Sequence, residues 1–168
     1  PILREEVVRL QSKKTDQVLV YMTKKEDKIL KILEKINQEF IIYGYDIEKQ
    51  EKNLIFKKTG PQFLEDLAKT KAIIASAGFT LMSEAIYLKK PYFAIPLKGQ
   101  FEQTLNALFL KQAGLGNFSE EPTSKQITSF LNKLNIYEKN IQKKKINPNE
   151  ALEILDKVLP NIKSDSRS

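Results

Sequence analysis

Short apolar runs alternate along this chain with segments whose apolar positions recur every three or four residues. Gln17-Val18-Leu19-Val20-Tyr21-Met22 is brief and β-rich, as expected of a strand covered on both faces. From Glu26 the period changes: Ile29, Leu30, Ile32, Leu33 and Ile36 fall at helical spacing and predict an amphipathic helix to about Asn37. Glu39 to Gly44 and Asn53 to Lys57 read as the next strands, separated by a charged turn from Asp46 to Lys52. Gly60-Pro61 breaks the chain before a short helix that starts at Phe63, Leu64 and Leu67. Strands at Lys71 to Ala75 and Pro91 to Pro96 then alternate with helices at Phe79 to Leu88 and Glu102 to Ala113. Beyond Gly114 and Gly116 the pattern weakens, with helices expected at Ser124 to Leu134 and Asn149 to Leu159.

This alternation predicts an α/β fold: a Rossmann-like, doubly wound parallel sheet of about six strands, with helices on both faces. Ligands of such sheets sit outside the carboxyl ends of the strands, near the switch in strand order. The rule selects the loops after Met22, Lys57, Ala75 and Pro96. Five of the six glycines, Gly60, Gly78, Gly99, Gly114 and Gly116, fall in the same part of the chain.

Composition narrows the chemistry. With no Cys and no His, disulfides, Cys/His zinc sites and a histidine-based hydrolase are excluded for the 168 residues in hand. No Asp-x-Asp pair or spaced acidic loop offers a magnesium or calcium site, so no metal and no resident cofactor are expected. The apolar runs fall far short of the ~20 residues that span a bilayer. Twenty-eight Lys and Arg against 21 Asp and Glu leave a formal charge of +7. The charge is scattered in clusters such as Lys13-Lys14, Lys89-Lys90 and Lys143-Lys144-Lys145, the pattern of a solvated surface or of contact with an anionic membrane face. No aromatic-basic or recognition-helix signature accompanies it, so no nucleic-acid partner is expected.

The most informative segment is Ile73-Ile74-Ala75-Ser76-Ala77-Gly78-Phe79-Thr80-Leu81-Met82-Ser83-Glu84-Ala85. A strand delivers a small-residue corner, and the corner opens a helix whose first amides lack intrahelical acceptors. Those amides and the helix dipole attract a phosphate, and Gly78 is expected to let the backbone come close. Leu81, Ala85 and Leu88 form the expected buried stripe, with Thr80 and Glu84 four apart on one flank. A carboxylate one turn beyond a phosphate can accept from two ribose hydroxyls; the plain alternative is an ordinary surface Glu. A second feature, Lys98-Gly99-Gln100-Phe101-Glu102-Gln103-Thr104-Leu105-Asn106, sets carboxylate and amide groups at a helix start, with Leu105, Leu108 and Phe109 on its apolar side. Such groups can pair with several sugar hydroxyls at once, or simply form a polar helix start.

Taken together, Ser76-Ala77-Gly78, Ser83-Glu84-Ala85, Lys90-Pro91, Ile95-Pro96, Glu102-Gln103-x-x-Asn106-Ala107 and Gln112-Ala113-Gly114 resemble the donor half of GT-B nucleotide-sugar glycosyltransferases. The pattern is most similar to family 28, typified by the transferase that adds GlcNAc to make lipid II, and within it to a teichoic-acid biosynthesis-like branch. Pro1-Ile2-Leu3-Arg4 resembles the linker where the carboxyl-terminal domain of that fold begins. The resemblance implies that Thr59 and Gly60 meet the base, usually uracil. It implies that Ser76, Ala77, Gly78, Phe79 and Thr80 lie along the diphosphate, that Glu84 takes the ribose, and that Glu102, Gln103 and Asn106 take the donor sugar. Lys98 is added to the sugar side as a flexible cation close to it. Where related domains carry a glycine-rich loop after the first strand, this chain has Met22-Thr23-Lys24-Lys25, leaving the Thr23 hydroxyl and amide for the diphosphate.

The implied organisation is an opening linker over 1–16, a donor-binding domain over 17–160 and a disordered tail over 161–168, with the acceptor domain amino-terminal to this chain. A chain that opens on Pro1 is expected to be a piece of a longer one. The implied reaction is metal-independent transfer from a UDP-sugar to a lipid-linked or glycan acceptor in cell-envelope synthesis. The setting would be the cytoplasm, at the inner membrane face if the acceptor is a lipid. The missing domain would supply the acceptor and the base, so this chain alone would bind nucleotide but turn over nothing. A UDP-sugar hydrolase or epimerase of similar architecture, and a non-catalytic nucleotide-binding module, remain alternatives.

Overall fold

A computed structural model describes Val7 and residues 14–25 and 27–143 of the chain. Most of the opening linker, the helix expected at Asn149 to Leu159 and the tail over 161–168 lie outside these residues.

Seven strands form one sheet: β1 (Val18–Tyr21), β2 (Phe40–Tyr43), β3 (Lys49–Glu51), β4 (Leu54–Phe56), β5 (Ala72–Ala75), β6 (Tyr92–Ala94) and β7 (Gly116–Phe118). Their order is β3-β4-β2-β1-β5-β6-β7. Every pairing is parallel except β3 with β4. The chain winds outward from β1 to β2 and β4, then crosses back to the other side of β1 to form β5, β6 and β7. The strand order therefore switches between β1 and β5, where a doubly wound sheet opens its binding crevice.

The central strands read as unbroken apolar runs because helices cover both faces. Inward residues of β1, β2 and β5, such as Val18, Val20, Ile42 and Ile74, pack against Ile29 and Leu33 of α1 (Asp27–Leu33) and Ile127 and Phe130 of α5 (Ser124–Leu131). The alternate residues Leu19, Tyr43, Ile73 and Tyr92 pack on the opposite face. There they meet Phe63 and Leu67 of α2 (Gln62–Lys69), Met82 and Ala85 of α3 (Phe79–Tyr87), Ala107 and Leu110 of α4 (Phe101–Gln112), and Ile141 of α6 (Leu134–Lys143). Each fully buried Leu, Ile or Phe of this set contributes about 1.5–3 kcal/mol of transfer free energy. At the carboxyl end of β2, Gly44 adopts φ +96°, and a Cβ there would lie 2.1 Å from the Met22 carbonyl, so the β1 and β2 exits close on each other with no room for a side chain.

Several expectations are corrected. The charged turn from Asp46 to Lys52 contains β3, an edge strand whose three residues are all exposed. Charged residues on a sheet edge discourage pairing with other chains, and they also erase the apolar signal. The helix expected at Ser124 to Leu134 is present as α5 and stops at Leu131, while α6, which follows from Leu134, and β7 were not foreseen. The first helix stops at Leu33 rather than Asn37. Beyond it the Asn53 side-chain amide lies 3.0, 2.9 and 2.8 Å from the Leu33, Ile36 and Gln38 carbonyls and collects the unpaired end of the helix. On α3 the buried pair is Met82 and Ala85, with Leu81 and Leu88 half-buried beside them. On α4 the buried residues are Asn106, Ala107 and Leu110, while Leu108 is exposed.

Candidate functional site

Because β1, β4, β5 and β6 run parallel, the segments that follow them emerge at one edge. Thr23 follows β1, Thr59 and Gly60 follow β4, Ser76 to Thr80 follow β5, and Lys98 to Gln103 follow β6. The sheet thus brings together the loops chosen from sequence. Between β4 and β5 lie β2 and β1, so their exits stand three strand spacings apart, about 14 Å. Only an extended ligand would touch both.

The β5 corner has the most definite geometry. The Tyr92 hydroxyl donates to the Ser76 carbonyl at 2.6 Å, and the Asn106 side-chain amide donates to the Ala77 carbonyl at 3.1 Å, both bonds being buried. All peptides are trans among the described residues, so each carbonyl faces opposite to the N–H of the next residue. Turning the Ser76 and Ala77 carbonyls onto interior side chains therefore turns the Ala77 and Gly78 N–H groups the other way. Gly78 caps α3 with no side-chain hydrogen bond, and the first bond of the helix runs from Met82 N–H to the Gly78 carbonyl. The amides of Phe79 and Thr80 thus have no acceptor within the helix.

Gly78 has an ordinary backbone conformation. Its φ of −68° and ψ of 132° suit any residue, so conformation does not require glycine. What glycine supplies is free space: a Cβ built there meets nothing within 4 Å.

The two residues expected to share a flank of α3 separate. Thr80 is exposed, whereas Glu84 is 0% exposed. The plain alternative of a surface carboxylate is thereby overturned, since ionisable side chains are almost never buried to this extent without partners. On the β6 side, Glu102 is exposed and Gln103 is half-buried. Gln103 Oε1 accepts from the Leu97 N–H at 3.1 Å and its amide donates to Gln100, shaping the loop that carries Lys98. Lys98 is itself held by Glu121 at the mouth of a cavity of about 310 Å³ that also touches Lys24, Lys28 and Ile95. Asn106, 6% exposed, spends its amide on the corner. Thr23, Thr59 and Gly60 are exposed.

Beneath the β4 exit sits a network that the sequence did not reveal. Asp66 Oδ2 on α2 accepts from the Tyr43 hydroxyl at 2.7 Å and from Lys57 Nζ at 2.6 Å. Burial, aided by the Asp66 carboxylate, holds the Tyr43 phenol protonated far above its ordinary range. Tyr92 was also missed. A tyrosine inside an apolar strand needs a partner for its hydroxyl, and that requirement was the available signal. Among the described residues no group of three or more Asp or Glu side chains converges as metal ligands would, and no helix is long and apolar enough to cross a membrane.

A search of curated proteins finds no match. Among solved structures, the spinosyn forosaminyltransferase SpnP is similar with a TM-score of 0.63 at 16% identity, over 94% of this chain and 47% of its own. Phytolacca americana UGT2, complexed with UDP-2-fluoro-glucose and pterostilbene, has a TM-score of 0.62 at 14% identity, over 94% and 44%. The glycosyltransferase VinC in complex with dTDP has a TM-score of 0.60 at 13% identity, over 94% and 44%. At these identities the likeness is one of fold, and the chain spans less than half the length of these structures. Residues 1–135 match the family described as Glycosyl transferase family 1, which covers most of the chain, and the chain belongs to that family.

Proposed function

We propose that this chain is the donor-binding half of a metal-independent glycosyltransferase and holds a nucleotide sugar linked through UDP or TDP. The observation that carries the reading is the β5 corner, which lies where the strand order switches and opens α3 at Gly78, leaving the Phe79 and Thr80 amides without helical acceptors. Amides already oriented at a helix start stabilise charge that grows on a departing diphosphate without reorganising, which is what transfer requires as the bond from sugar C1 to the phosphate oxygen breaks. In this reading the diphosphate lies along Ser76 to Thr80, the ribose reaches Glu84, and the base reaches Thr59 and Gly60 about 14 Å away. Glu102, Gln103 and Lys98 border the sugar. Thr23 offers a hydroxyl in place of a glycine-rich loop. Structural neighbours with bound dTDP or a UDP-sugar analogue support both bases as candidates.

The residue pattern shared with family 28 supports a finer reading, in which the acceptor is lipid-linked or a glycan of the cell envelope and is met at the inner membrane face. Its hydroxyl and the base that deprotonates it would come from a partner half not contained in these residues. The test is calorimetry of this chain against UDP, TDP and their sugars, followed by an assay for released diphosphate. Saturable nucleotide binding without turnover is expected. Failure of every nucleotide to bind removes the reading, and turnover by the chain alone removes the division of labour between two halves.

A further inference from the structure

α4 carries two apolar faces, and only one of them is packed on the sheet. Ala107 and Leu110 are fully buried there. Phe101, Leu105 and Leu108, four and then three residues apart, form a stripe on the opposite side of the helix. Phe101 is 70% exposed, Leu108 is 41% exposed and Leu105 is half-buried, and among the described residues neither packed core includes any of the three. The outer face of a surface helix is ordinarily polar, so an apolar stripe there calls for a cover.

The chain itself supplies one. α6 ends at Lys143 against the far end of α4: the Asn140 amide donates to the carbonyl of Gly114, two residues past α4, at 2.9 Å, and Ile141 is buried in the same core as Leu110. Beyond Lys143, Asn147-Pro148-Asn149-Glu150 has the form of a helix start, with a capping side chain, a proline in the first turn and a glutamate three residues after the cap. Leu159-Pro160 has the form of a helix stop. Between them Leu152, Leu155 and Leu159 are three and then four residues apart on one helical face, with Glu150, Glu153 and Asp156 off it. Taken in reverse, the stripe on α4 runs Leu108, Leu105, Phe101, with the same spacing of three and then four. A helix over 149–159 would be about 16 Å long beside the ~18 Å of α4. The linking residues Lys144 to Asn147 reach about 13 Å, enough for the 8–10 Å or so between the axes of packed helices. Three acids against one lysine over 149–159 also make this segment negative in a chain of formal charge +7.

We propose that residues 149–159 dock as a helix antiparallel to α4, with Leu152 on Leu108, Leu155 on Leu105 and Leu159 on Phe101. The strap runs from the amino ends of the strands to the ligand edge and finishes beside the first turn of α4, which carries Glu102 and Gln103. It stands independently of the proposed function.

The experiment uses the full chain, whose lack of cysteine makes an engineered pair unambiguous. Leu108→Cys with Leu152→Cys is expected to close an internal disulfide, mapped by mass spectrometry, about tenfold faster than the control Leu108→Cys with Glu153→Cys, whose second sulfur lies off the apolar face. Hydrogen exchange gives a second measurement. The amides of Glu153 to Leu159 are expected to exchange about tenfold or more slowly than unstructured ones, and Leu108→Asp is expected to abolish that protection while α5 keeps its own. Equal closure of the two pairs, dimers linked through position 108 in place of the internal bond, absence of protection, or protection that survives Leu108→Asp each overturns the proposal. Protection lost from residues 2–10 instead would assign the stripe to the opening segment and overturn it as well.

Discussion

The side-chain amide of Asn106, in the second turn of α4, donates to the backbone carbonyl of Ala77 at 3.1 Å across 29 residues of sequence. Both residues are almost wholly buried, so this bond joins the helix after β6 to the corner after β5 without help from water. Replacing Asn106 with Ala strands the Ala77 carbonyl in the interior and opens a small void. The expected loss is about 1–3 kcal/mol in urea unfolding. An unchanged midpoint would mean that the carbonyl finds another donor and that the contact does not hold the corner.

Glu84 supplies a second prediction. Its full burial means that a ribose engaging the carboxylate has to displace the atoms now covering it, so the affinity gained is net of that displacement. Glu84→Gln keeps the shape and removes the charge. UDP or TDP affinity is expected to drop by about 1.5–3 kcal/mol, the range for hydrogen bonds to a charged group, and the nucleotide is expected to raise the melting temperature of the variant less than that of wild type. Equal affinities would take Glu84 out of the site.

What could be read from the residues, and what could not, divides along physical lines. Val18 to Tyr21, Phe40 to Tyr43 and Ala72 to Ala75 announce themselves because central parallel strands are buried on both faces. Lys49 to Glu51 do not, because an exposed edge strand carries charges that look like a turn. The corner at Ser76 to Gly78 was visible as small residues between a strand and a helix. Its fastening was not, since Tyr92 and Asn106 reach it through space from 16 and 29 residues away. Periodicity placed Glu84 beside the exposed Thr80, yet a helix flank is exposed or buried according to what packs on it, and that lies outside a local pattern.

The Tyr43, Lys57 and Asp66 network yields a third prediction. One carboxylate oxygen serves two donors, so Asp66→Asn weakens both bonds and leaves the partly buried Lys57 ammonium without its counter-charge. A destabilisation of about 1–3 kcal/mol is expected. A double-mutant cycle of Asp66→Asn with Lys57→Met separates the ion pair from the tyrosine bond, and a coupling above about 0.5 kcal/mol is expected for residues in direct contact. Strict additivity would show that Lys57 is held by solvent rather than by Asp66. Because the network underlies the loop from Lys58 to Pro61, the same variants test whether that loop needs a rigid base to bind nucleotide.

Lys90 lies at the other end of the sheet, where the chain enters β6, and only 4% of it is exposed. Burial, reinforced by the nearby Lys14 charge and opposed by Glu138, pushes its amine from the ordinary 10.5 down to about 8. Below pH 8 the amine is charged in both the folded and unfolded chain, so the fold bears the full cost of burying the charge. Between about pH 8 and 10.5 the folded state has released the proton while the unfolded state still holds it, so the unfolded chain binds more protons and stability rises with pH. A depression of this size corresponds to roughly 2–4 kcal/mol. Lys90→Met keeps the aliphatic stem and removes the charge, so it is expected to be more stable than wild type at pH 7 by up to that amount, with the difference shrinking as pH rises from 8 to 10. The other lysines and tyrosines titrate alike in both proteins and cancel in the difference. Urea unfolding of the pair at pH 7, 8, 9 and 10 decides the matter, and a difference that stays flat across that range would show that the Lys90 amine keeps its proton throughout and that its burial carries no such cost.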